Sequence, residues 1–207
     1  MPTEACKRLH ESLDAAPVLA KWPANGLYFF RENGETWGHG VAAFDRITRC
    51  GSHTSPGRLQ ARAKEHRTQN SNGSAVVKHV GSALARRNDP AALCAHWGAA
   101  GSRHCERCAE LVRDSRLYLN ENIAVIIVGV QRDWMRAETI AIGILSHCEA
   151  CHRTEHWLGR HALNQIISSG HLWNDKGIDY IPTVPDIGWF FDIIDEPARL
   201  PLGNQKL

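Results

Sequence analysis

Residues 123–130, IAVIIVGV, form an unbroken, largely β-branched run between Asn122 and the polar residues that follow. A short run that is apolar at every position reads as a strand buried on both faces. A strand of this kind belongs in the core, with both faces covered.

The remaining elements follow from local signals. Residues 3–21 carry Cys6, Leu9, Leu13 and Val18 near helical spacing and predict an amphipathic helix, ended by Pro23 and Gly26. LYFF at 27–30 has strand composition, and Asn33-Gly34 signals a tight turn. RITRCG at 46–51 predicts a second strand, so the pair reads as a hairpin with an elaborated loop, TWGHGVAAFD. SPGRLQARAKEHR at 55–67 predicts a helix capped by Ser55, with Pro56 in its first turn. Residues 75–87 fit strand or helix, and their valines favour a strand to Val80. Residues 88–109 read as loop, the following AELVRDSRLYLNEN as helix, and residues 150–207 as short helices and loops. Asp133 is placed to cap a helix holding Glu138. The division expected is an N-terminal helix at 1–22, a main domain at 23–195 and a tail at 196–207.

Composition bears mainly on partners and compartment. No apolar run approaches the roughly 20 residues that span a bilayer, and the N-terminus lacks the apolar core of a secretory signal. A cytoplasmic protein with no membrane partner is expected. Seven cysteines in such a chain argue against a disulfide framework. The net charge of +2 is too small to imply nucleic acid by itself. Seven cations do crowd residues 58–87, from Arg58, Arg62, Lys64 and Arg67 to Lys78, Arg86 and Arg87. They form either a solvated surface or a local phosphate-binding patch.

Two groups of residues carry possible chemistry. Arg58, Arg62 and His66 stand at i, i+4 and i+8, along one helix face suited to an anion. Glu138 opens the apolar stretch RAETIAIGILSH. In a first helical turn it would either meet the helix dipole, worth about 0.3–1 kcal/mol, or bind a metal. The two CxxC pairs, Cys105/Cys108 and Cys148/Cys151, offer the four thiolates of one tetrahedral zinc site, a zinc knot spanning 105–151. The alternative is two pairs of buried, reduced thiols. Cys94 with His96 is a weaker ligand pair, and Cys6 and Cys50 read as core.

Taken in order, these segments resemble the GIY-YIG nuclease superfamily. GLY at 26–28 stands at the first motif, RCG at 49–51 at the second, RAKEH at the arginine helix and RAETIAIGILS at the metal-glutamate helix. NGLYFFRENGE, RITRCGSHT, VGSAL, WLGRHAL and SGHLWN are similar to a prokaryotic GIY-YIG-like branch, over residues 24–192. The resemblance implies an α+β fold with a small, mostly antiparallel sheet flanked by helices and an extended C-terminal part. It implies a metal-dependent endonuclease acting on DNA, expected to be double-stranded. Tyr28 would act as or orient the base, Arg62 would stabilise the phosphate, and Glu138 would bind Mg²⁺ or Mn²⁺. His66 would relay a proton or touch the phosphate, and Asn174 would lie near the site. Arg58, Lys64 and Arg67 are candidate phosphate contacts. In one departure, Arg49 stands where the family has its second tyrosine. Arg49 can hold a phosphate but is a poor base, and His53 is a nearby titratable group. A catalytically weak or inactive nucleic-acid-binding protein with a structural zinc site is the alternative reading.

Overall fold

The computed structural model describes residues 2–14, 22–37, 44–68, 73–98, 105–195 and 203–205. Four strands form one antiparallel sheet in the order β2-β1-β3-β4, with β1 at Gly26–Trp37, β2 at Phe44–Gly51, β3 at Ile123–Gly129 and β4 at Gly203–Gln205. The helices are α1 Pro2–Asp14, α2 Leu59–Thr68, α3 Ala75–Asn88, α4 Glu106–Asn122, α5 Trp134–Ser146, α6 Gln165–Ser169 and α7 Val184–Ile194, with a 3₁₀ turn at Leu158–His161. This is the α+β architecture expected.

The two-residue period of the strands divides the core. Leu27, Phe29, Ile126 and Val128 face α1, α5 and α7. Tyr28, Phe30, Val125 and Ile127 face α2 and α3. IAVIIVGV is therefore apolar throughout because both faces of β3 are covered.

Several local expectations are corrected. β1 runs through Asn33-Gly34, so those residues make no hairpin turn. Gly34 instead takes φ +83°, within the stretch where the β1–β2 register slips. α2 begins at Leu59, so Ser55 and Pro56 lie in a preceding turn and do not cap it. Residues 75–87 are helical, in α3: Ser74 caps that helix by accepting from Val77 N–H at 3.3 Å, and Val76, Val77 and Val80 are buried together. Helical packing overrides their β propensity. Asp133 sits at the N-cap of α5 with φ 54° but makes no side-chain cap bond. Glu138 is the fifth residue of α5, beyond its first turn, which weakens the dipole explanation. Of the N-terminal helix, α1 is seen to Asp14; residues 15–21, with Val18, lie outside the described residues, as do 38–43 of the hairpin loop. β4 is a strand within the expected tail.

Candidate active site

The site grows from the end of the β1–β2 pair. Gly26 takes φ +148°, and a Cβ there would stand 1.9 Å from the carbonyl oxygen of Val128. Only glycine lets β1 start this close to β3. Tyr28 pairs in register with Gly51, and a Cβ on Gly51 would meet the Tyr28 hydroxyl at 2.2 Å. Gly26 thus lets β1 and β3 close up, and Gly51 makes room for the tyrosine.

The Tyr28 hydroxyl lies 2.6 Å from Nε2 of His66, whose Nδ1 lies 2.9 Å from Oγ of Ser74. All three side chains are buried. Burial raises the Tyr28 pKa, against the opposing pull of Arg49. Burial, then the charges of Arg49 and Arg62, hold His66 well below its usual range. At neutral pH the pair is a phenol beside a neutral imidazole, a possible proton acceptor.

A cleft of about 370 Å³ opens beside this pair, lined by Tyr28, Arg49, Ser52, His53, Arg58, Arg62, Glu65 and Glu138 among others. Tyr28, Arg62 and Glu138, which are far apart in sequence, share one cavity. A neighbouring cleft shares Arg49, Arg62 and Glu138 and extends to Asn174 and Lys176. Ser52, just past β2, donates a short hydrogen bond to Oε2 of Glu138. No hydrogen bond to Oε1 occurs among the described residues. The half-buried carboxylate therefore keeps an oxygen available to a hard cation.

Three guanidiniums meet two carboxylates in the cleft. Arg49 is buried, donates to the Trp173 carbonyl at 2.8 Å, and has an Nε without a partner. Arg62 is one-third exposed and binds Glu65 at 3.0 Å; Arg58 also pairs with Glu65. Glu65 and Ser74 went unnoticed in the sequence. Glu65 follows Arg62 by three residues, a spacing that signals a helix-surface ion pair.

The other candidates divide. His53 lines the cleft, but both its ring nitrogens are engaged: Nε2 accepts from Gly26 N–H at 3.2 Å, and Nδ1 meets the Ser55 carbonyl at 2.6 Å. Asn174 brackets Cys50, accepting from its N–H at 3.1 Å and donating to its carbonyl at 2.8 Å. Lys64 is exposed, and Arg67 donates to the Ile123 carbonyl at 2.7 Å; neither lines the cleft. Arg86 donates to the Ala162 carbonyl at 2.8 Å, and Lys78, Arg86 and Arg87 line neither cleft.

The single four-cysteine zinc site is not formed. Cys148 and Cys151 join Cys6, whereas Cys105 and Cys108 join Cys94, in two separate groups each close enough to hold a metal ion. Each CxxC pair meets a third cysteine from another segment, which spacing within the pairs does not reveal.

A small antiparallel sheet flanked by helices is consistent with a GIY-YIG-like fold. The chain belongs to the GIY-YIG domain family, whose match covers residues 4–194. The family is one of nucleases, and nucleic acid is its substrate in general. No curated protein and no solved structure matches the chain. No described helix is long and apolar enough to cross a membrane.

Proposed function

We propose that the protein is a metal-dependent endonuclease hydrolysing phosphodiester bonds in duplex DNA. The observation that carries this reading is the shared cleft of Tyr28, Arg62 and Glu138. Hydrolysis needs a base for water, positive charge on the phosphate and help for the leaving oxygen. Tyr28 takes the proton of the attacking water as its own passes to Nε2 of His66, 2.6 Å away. Arg62 binds the phosphate oxygens through its forked donors. Arg49, which also lines the cleft, adds a second guanidinium. Glu138, oriented by Ser52, would hold Mg²⁺ or Mn²⁺. A bound divalent ion would stabilise charge on the phosphate and the leaving oxygen. Arg58 anchors a neighbouring phosphate once released from Glu65. His53 and Asn174 position β2 and the start of β1, and do not touch substrate.

A binding protein without cleavage is the second reading, favoured by Arg49 in place of the family tyrosine. Incubation of supercoiled plasmid with the protein separates them. Nicking with Mg²⁺ and none with excess chelator supports the nuclease. A gel shift without nicking in Mg²⁺ or Mn²⁺ supports the binder.

A further inference from the structure

We propose that Cys94, Cys105 and Cys108 hold a structural, thiophilic divalent ion, zinc by its chemistry. Their sulfurs lie within 4.8 Å of one another, and Cys94 Sγ stands 3.2 Å from Cys105 Sγ. None is in a disulfide. Zinc–thiolate bonds of about 2.3 Å put tetrahedral ligands about 3.8 Å apart, so small side-chain shifts accommodate the ion.

Cys105 is the N-cap of α4 and Cys108 lies in its first turn, at the positive end of a 17-residue helix. Cys94 arrives from a segment, residues 89–98, with no helix or strand. The local core is small: Ala85, Trp97, Cys108 and Leu111 are its buried members. An ion joining Cys94 to α4 would fasten a segment that little apolar burial secures. Cys94 and Cys105 are half-exposed, which gives the ion a way in. The fourth position is left to water or to His96, which is exposed two residues after Cys94. Binding releases the three thiol protons to solvent.

The other triad differs. Cys6, Cys148 and Cys151 are all buried. The neighbouring His10 is engaged through both nitrogens, with the Cys6 carbonyl at 2.9 Å and Ile47 N–H at 3.2 Å. With all three sulfurs buried and His10 engaged, these thiols pack α1 against the turn after α5.

The test is zinc content of the full chain purified without added metal, together with thiol alkylation read by mass spectrometry. One zinc per chain is expected, with Cys94, Cys105 and Cys108 protected from alkylation until a chelator is added. Cys94→Ser/Cys108→Ser should lose the zinc, and Cys6→Ser/Cys151→Ser should keep it. Should a variant fail to fold, wild-type protein stripped of metal and given cobalt(II) should show a thiolate-to-cobalt charge-transfer band. Four results overturn the site: no zinc and no cobalt band, zinc lost only from the Cys6 variant, the three thiols alkylated freely in untreated protein, or a Cys94–Cys105 disulfide in purified protein.

Discussion

The Tyr28 hydroxyl and His66 Nε2 stand 2.6 Å apart inside the protein, beside a cleft that carries Arg62 and Glu138. The hydrogen bond joins the first motif to the arginine helix. It gives the phenol a partner that can take its proton. Tyr28→Phe and His66→Gln should each lower cleavage by about 10²–10⁴-fold with DNA binding retained. Because the two act as a unit, the double variant should be little worse than either single one. Additive losses in single-turnover rates would separate the two residues.

Gly51→Ala probes the space under the tyrosine. The added methyl would stand 2.2 Å from the Tyr28 hydroxyl, so a buried ring must move. Overpacking of this kind costs about 1–3 kcal/mol. The displaced phenol should lose His66, and cleavage should fall far more than stability alone explains. Denaturant titration with nicking rates checks this; a variant cutting at the wild-type rate would mean that Tyr28 needs no fixed position.

Stability should depend on pH through buried histidines. Burial lowers the His10 pKa to about 4, and burial also lowers His66. A histidine with a folded pKa below its unfolded value of about 6.5 takes up its proton more readily when unfolded. Stability is therefore greatest above pH 6.5 and falls as pH drops toward 4. For His10 the loss between pH 6.5 and 5 is about 1.5 kcal/mol. Denaturant unfolding at those two pH values should show it, and His10→Gln should flatten the dependence. Equal stability at both values would mean that His10 is not held neutral.

Much of this site was legible because its residue types are tied to position. Gly26 and Gly51 are glycines for steric reasons, and Tyr28, Arg62 and Glu138 stand in segments that resemble family motifs. What was not legible depends on tertiary contact. Val76, Val77 and Val80 suggested a strand, yet they form the buried stripe of α3. Glu65 and Ser74 take their roles only from contact with Arg62 and His66 in the folded chain. The thiols sorted by three-dimensional neighbour: Cys6 reaches Cys151 across 145 positions. His53 and Asn174 sit where a functional residue was expected, but their polar atoms hold backbone in place.

In the proposed reaction Glu138 would hold the metal ion. The most direct measurement is nicking of supercoiled duplex DNA by wild-type protein and Glu138→Gln in Mg²⁺, with binding followed in parallel. The amide keeps the shape and can still accept from Ser52, but loses the charge a hard cation needs. Nicking should fall by orders of magnitude while DNA binding and thermal stability stay near wild type. Nicking by Glu138→Gln at close to the wild-type rate would contradict the account.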